Sequence, residues 1–126
     1  MFGALSVGYQ HACAIRYDGA VRCWGSNTFG SLGLGDTEDR GNEPGEMGNN
    51  LPTVALGAGR TATAISAGSN FTCALLDTGR VTCWGENGAG ELGIGDTEHR
   101  GAEPGEMGNN LPTVNLGPGR TATATS

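Results

Sequence analysis

The chain repeats itself at a constant offset of 60 residues. Cys13, Cys23, Trp24, Gly25, Asn27, Gly30, Leu32, Gly33 and Gly35 reappear as Cys73, Cys83, Trp84, Gly85, Asn87, Gly90, Leu92, Gly93 and Gly95, with no insertion. A repeat of this length is one supersecondary unit that buries its apolar face only against a neighbour, so the repeat constrains the fold before any single residue does. The two copies differ unevenly. Residues 36–64 and 96–124 differ at only four of 29 positions, whereas residues 6–35 and 66–95 match at 14 of 30. The differences gather at Tyr9-Gln10-His11 against Ser69-Asn70-Phe71, Arg16-Tyr17-Asp18 against Leu76-Asp77-Thr78, and Thr28-Phe29 against Gly88-Ala89. They are either drift after duplication or variation on a binding face.

Within one unit, the runs Ala12-Cys13-Ala14-Ile15-Arg16 and Ala20-Val21-Arg22-Cys23-Trp24 flank Tyr17-Asp18-Gly19. This predicts a hairpin with a three-residue loop, with Gly19 taking the left-handed position after a type I turn. Asp77-Thr78-Gly79 predicts the same in the second unit. Counting back from the pair 16/20 sets 15 against 21, 14 against 22 and Cys13 against Cys23. The last falls at a non-hydrogen-bonded site, where strands approach closest and a disulfide can form. Cys73 and Cys83 repeat that arrangement. The alternative is four buried free thiols. A zinc site does not fit, because the C-x9-C spacing departs from the close pairs that tetrahedral sites use.

Thr61-Ala62-Thr63-Ala64-Ile65-Ser66 alternates and reads as a further strand. Leu51-Pro52-Thr53-Val54 is extended, and Pro52 places it at an edge or outside a ladder. Residues 35–50 show neither helical nor strand period. They form a loop of about 16 residues, long enough to be functional or tightly self-packed. The fold class is all-β.

These residues resemble the repeats of the regulator of chromosome condensation family. The matching pattern is Val7-Gly8-x-x-His11-x-Cys13-Ala14-Ile15, Asp18-Gly19-x-Val21-x-Cys23-Trp24-Gly25 and Asn27-x-x-Gly30-x-Leu32-Gly33-x-Gly35, repeated in the second unit with Phe71 in place of the histidine. The resemblance implies two β-propeller blades of about four short antiparallel strands each, part of a closed propeller or assembling into one. Residues 1–60 would be the first blade, 61–120 the second, and 121–126 the first strand of an incomplete third. The paired cysteines and the acidic Gly-Asp-Thr-Glu stretch look like the bacterial, extracellular form of the family. The founding members catalyse nucleotide exchange on a small GTPase and touch chromatin; other relatives simply bind proteins. A fold shared this widely does not settle function.

Two blades leave both flanks open, whereas propellers normally close with four to eight. Thr121, Ala122, Thr123, Ala124, Thr125 and Ser126 copy the strand at 61–66 without a blade of their own. They are expected to complete the first blade of a neighbouring chain, head-to-tail, giving a ring or a filament. The alternative is an excised piece of a longer propeller, of which Met1 is the start codon. No signal peptide is evident. Cysteine pairing points to an extracellular or cell-surface location.

Several function classes are disfavoured. Net charge is −6, and all seven cations are Arg, so the basic footprint of a nucleic-acid binder is missing. No apolar stretch approaches membrane-spanning length. His11 and His99 occupy different repeat positions, and no nucleophile motif or phosphate loop is present. The expectation is a non-enzyme without a cofactor. The acidic loop, with Asp36, Glu38, Asp39, Asp96 and Glu98, is a weak Ca²⁺ candidate. It lacks EF-hand spacing, and the simpler reading is a solvated loop partly neutralised by Arg40 and Arg100. Asn70-Phe71-Thr72 fits the glycosylation pattern but opens a strand. The expected partner is an unknown protein or a second copy of the chain. Tyr9, His11, Tyr17 and Phe29, the aromatic variants of the first unit, are the protein-binding candidates, with packing between blades as the alternative for them.

Overall fold

The structure is a computed structural model and describes residues 2–114 and residue 116. Six strands form two antiparallel sheets. β1 (Phe2–Val7), β2 (His11–Arg16) and β3 (Val21–Gly25) make the first; β4 (Ala62–Ala67), β5 (Phe71–Leu76) and β6 (Val81–Gly85) make the second. Each sheet is followed by a long loop with one 3₁₀ turn, at Gly48–Asn50 and Gly108–Asn110.

The hairpin register is the one that loop length dictates. Cys13 faces Cys23, Ala14 faces Arg22 and Ile15 faces Val21. Gly19 has φ 87°, which closes the turn through Gly19 N–H to the Arg16 carbonyl at 2.9 Å. A side chain at that φ would be strained. Cys13 pairs with Cys23 and Cys73 with Cys83, with Cα atoms 4.0 Å apart in both. The inner strand of each sheet carries the same irregularity, between Phe2 and Ala4 and between Ala62 and Ala64.

The expected fourth strand is reduced to one backbone bond in the first repeat and an isolated bridge, Thr82 with Thr113, in the second. Val54 donates its N–H to the Val21 carbonyl at 2.8 Å, and Val114 does the same to Val81. Two residues earlier, the next position facing the sheet is Pro52 or Pro112. Proline has no N–H, so the ladder cannot propagate. Each described sheet therefore has three strands and an extended outer segment.

The core lies between the sheets, not within either one. Cys13, Ile15, Val21, Cys23 and Leu32 of the first repeat pack with Ile65, Ala74, Leu76 and Trp84 of the second. Each sheet covers the apolar face that the other exposes.

The inner position of the first sheet is occupied by β1, paired to β2 from Phe2↔Arg16 to Val7↔Ala12. The strand Thr121–Ser126, expected to complete the first blade of a neighbouring chain, aligns in the repeat with residues 1–6. Residues 121–126 themselves lie outside the described residues.

Candidate protein-interaction surface

A buried asparagine organises the loop of each repeat. Asn27 is fully buried, and its Nδ2 donates to the Asp36 carbonyl, the Asp36 carboxylate and the Glu38 carbonyl at 2.9–3.0 Å. Its Oδ1 accepts from Leu32 N–H at 3.0 Å. Asn87 makes the same four bonds to Asp96, Glu98 and Leu92. The Asn27 amide supplies partners to the buried Leu32 N–H and to the Asp36 carbonyl, and shares Asp36 Oδ1 and the Glu38 carbonyl with the Glu38 N–H and Arg40. The drift at the next position is compensated. The Asn27 N–H donates to Asp39 Oδ1 at 2.8 Å, and the Asn87 N–H to His99 Nδ1 at 2.9 Å. A histidine replaces an aspartate because both offer an acceptor at that point. Asn27 and Asn87 recur in the sequence, but the signal for this role lies in the Asp nine residues later.

The acidic loop is tied to itself. Arg40 Nη2 holds Asp36 Oδ2 at 2.9 Å, and Arg100 holds Asp96 likewise. Asp36 Oδ1 also accepts from Glu38 N–H at 3.0 Å. The Glu98 N–H, together with Arg100 and Asn87, holds the Asp96 carboxyl below the ordinary carboxylate range, against some desolvation. Of the calcium candidates, Asp36, Asp39 and Asp96 thus have their carboxylates engaged in loop bonds. Among the described residues no three His, Cys, Asp or Glu side chains converge as a metal site.

The four aromatic candidates are not brought together. His11 is buried, with Nε2 2.8 Å from the Thr72 hydroxyl of the second repeat. Burial lowers its pKa below the ordinary value, opposed by a hydrogen bond with the Phe71 backbone. Phe29 is half-buried and meets the His99 ring edge-on at 5.3 Å across the repeats. These two are contacts between repeats, the alternative the sequence offered for them. Tyr9 and Tyr17 are exposed. They sit before and after β2, so a six-residue strand, about 20 Å long, separates the loops that carry them. They cannot line one face together.

The two repeats lock through one carbonyl. Trp84 Nε1–H and the Thr72 hydroxyl both donate to the Ser31 carbonyl, each at 2.9 Å. A two-sheet unit of this kind, with its loop hub and its tryptophan reaching into the preceding repeat, has counterparts. Models of the regulator of chromosome condensation (RCC1) repeat match residues 4–31 and 62–91, and residues 18–75. The chain belongs to the RCC1 repeat family.

Relatives by sequence include the ultraviolet-B receptor UVR8 of Arabidopsis thaliana, 33% identical over 97 residues covering 76% of this chain and 20% of UVR8. Protein pim1 of Schizosaccharomyces pombe is 34% identical over 119 residues, 87% of this chain and 22% of pim1. In structure the chain is similar to Prp20p of Saccharomyces cerevisiae, with TM-score 0.60 and 20% identity over 94% of this chain and 26% of that one. Human WBSCR16 gives TM-score 0.62 and 20% identity over 91% and 26%. The chain spans less than a quarter of the length of these sequence relatives. The structural likeness identifies the fold as that of RCC1 propellers.

The RCC1 repeats of this chain present two unlike flanks. Leu5 is 64% exposed, while its repeat-mate Ile65 is 8% exposed against the first sheet. Leu116 is 43% exposed, while its repeat-mate Leu56 is 9% exposed. Trp24 is half-buried, whereas Trp84 is fully buried. The residues that bury in the interface between the repeats are open on the outer flanks. That two blades leave open flanks was legible from the sequence; which residues lie on each flank was not, because equivalent residues lie on both sides of the repeat boundary.

Proposed function

We propose that this chain is a non-catalytic repeat module that acts by binding protein through its open RCC1 flanks, and that it self-associates head-to-tail. The observation that carries this is the exposure of Leu5 against the burial of Ile65. An apolar face that one repeat covers in its neighbour is uncovered at the end of the pair, and such faces mark contact sites. The histidines support a non-catalytic reading: His11 is bonded to Thr72, and His99 accepts from Asn87. Protein binding has precedent among similar folds. Prp20p has binding properties toward Gsp1p and histones, and yeast RCC1 (Prp20) has been crystallised with Kap60 bound.

A head-to-tail contact uses different patches on the two partners, so it closes as a ring or runs on as a filament. About three chains would make six blades and about four would make eight, within the usual propeller range. The two cysteine pairs support an oxidising, extracellular setting. Sedimentation velocity over a wide concentration range tests the reading. Growth from the 12.7 kDa monomer to a discrete larger species supports it. A monomer at every concentration overturns self-association. Electron microscopy of the same material separates rings from a structural, fibre-forming role.

A second reading has its own support. The chain covers 20% of UVR8 and 22% of pim1, so these repeats also fit as a segment of a longer propeller. Further blades of the same polypeptide would then occupy the flanks.

A further inference from the structure

We propose that the outer flank of the second repeat, built by Phe71, Gly90, Glu91 and Gly93, is the docking surface for a second copy of this chain, which enters with Leu5, Ala12 and Trp24 of its first repeat. This deepens the self-association reading and rests on it.

The interface between the chain's own repeats serves as the template. There, glycines on the first repeat make room for the second. A Cβ at Gly30 would collide with the backbone of Gly101 and Ala102, and one at Gly33 would lie 2.8 Å from Trp84 Nε1. Among the described residues, the matching glycines of the second repeat have no neighbour from another repeat against them. Nothing lies within 4 Å of a Cβ at Gly90, and a Cβ at Gly93 would meet only Val114 of its own repeat. Their left-handed φ values, 78° and 67°, match the 80° and 68° of Gly30 and Gly33. The socket is therefore built in the same backbone form as its filled counterpart.

The opposite flank is the matching plug. Leu5 and Trp24 hold the places of Ile65 and Trp84 but lack a covering sheet. Beside them Arg22 Nε is buried without a hydrogen-bond partner, although Nη1 reaches the Gly48 carbonyl. It is the kind of group that a docked neighbour would satisfy.

The side chains that differ between the repeats differ in a complementary way. Inside the chain, His11 of one repeat meets Thr72 of the next, a polar pair. Between two copies the same two places hold Phe71 and Ala12, a large apolar residue against a small one. His against Ala would leave a buried ring nitrogen unpaired, and Phe against Thr would crowd the ring with an added hydroxyl and methyl, although that hydroxyl keeps a carbonyl to donate to, as Thr72 does with Ser31. The backbone contacts transfer without change of partner type. Trp24 Nε1–H would reach the Glu91 carbonyl, as Trp84 reaches that of Ser31. Gly95 N–H would reach the Gly41 carbonyl, as Gly35 reaches that of Gly101 at 2.9 Å. Val7 N–H would reach Ser66 Oγ, as Ala67 reaches Ser6. Two contacts are lost: Phe29 against His99 becomes Ala89 against Asp39, and Ala58, whose N–H donates to Asn109 across the repeats, has Pro118 as its repeat-mate, which carries no N–H. The contact between copies is accordingly weaker than the internal one and reversible.

The test is sedimentation equilibrium of the full chain, with circular dichroism to confirm each fold. Leu5→Asp alters an exposed residue and is expected to weaken association about tenfold or more. Ala12→Thr alone and Phe71→His alone are each expected to weaken it. The double variant, which rebuilds the His–Thr pair between copies, is expected to restore it. Both substitutions install residues that the other repeat already accommodates at the same place. An oligomer indifferent to Leu5→Asp, or a double variant no better than the singles, overturns this surface and leaves self-association standing. A wild-type chain that never associates overturns both.

Discussion

The Trp84 indole Nε1–H donates to the Ser31 carbonyl across the boundary between the repeats, at 2.9 Å. The same carbonyl accepts the Thr72 hydroxyl, which gives it its one proton, so His11 Nε2 is the donor in the His11–Thr72 bond. Two side chains thus converge on one backbone oxygen, with His11 bonded behind Thr72, and they help fix how one sheet sits on the other. Buried networks of this type are costly to leave partly satisfied.

Trp84 and Trp24 should therefore respond differently. Trp84→Ala empties a fully buried site and is expected to cost about 3–5 kcal/mol, the range for large-to-small changes in cores. Trp24→Ala, at a half-exposed flank, should cost less than half of that in the monomer. Urea unfolding midpoints of the two variants at low protein concentration check the asymmetry.

Asn27→Ala and Asn87→Ala remove the acceptor of the buried Leu32 or Leu92 N–H and the asparagine donor of the Asp36 or Asp96 carbonyl. A loss of about 1–3 kcal/mol is expected for each. The damage should be local to the loop that the asparagine holds. Hydrogen exchange should rise at Leu32 and Glu38 in the first variant and at Leu92 and Glu98 in the second, since Leu32 and Leu92 lose their acceptor.

Reducing the cysteine pairs should destabilise the chain by a predictable amount. Each pair has sequence separation 10, and a closed loop of about 11 residues corresponds to about 2.8 kcal/mol in the chain-entropy treatment. Thermal melts with and without reductant measure the loss. Mass spectrometry without reductant should show all four thiols blocked.

Stability should fall in mild acid because of His11. Burial lowers its pKa in the folded chain, so the unfolded chain binds more protons once the pH drops toward the ordinary value of about 6.5. The contribution is complete above that value and is lost as the pH falls through it toward the folded pKa. His11→Gln, which keeps a donor for Thr72, should flatten the slope of melting temperature between neutral and mildly acidic pH. An unchanged slope would show that other groups govern it.

Much of each blade was legible in the chain. The three-residue turn at Tyr17-Asp18-Gly19 sets the register, and the register sets Cys13 against Cys23. These are contacts between residues about ten apart, where local geometry leaves one arrangement. The edge role of Pro52 was legible too, although its missing N–H shortened the fourth strand to one bond. The candidate site was less legible. Tyr9 and His11 are two residues apart, yet one is exposed and the other buried.

The sequence by itself determined the repeat, the all-β class, the hairpin register and the cysteine pairing, because each follows from local spacing. The tertiary structure alone decided which of two equivalent residues is covered. Leu5 and Ile65 hold the same place in the repeat, but only Ile65 has a sheet against it. Burial depends on a neighbour distant in the chain, and no local pattern encodes whether that neighbour is there. At Asp36 and Asp96 the sequence already suggested neutralisation by Arg40 and Arg100; the bonds from the buried Asn27 and Asn87 came only with the fold.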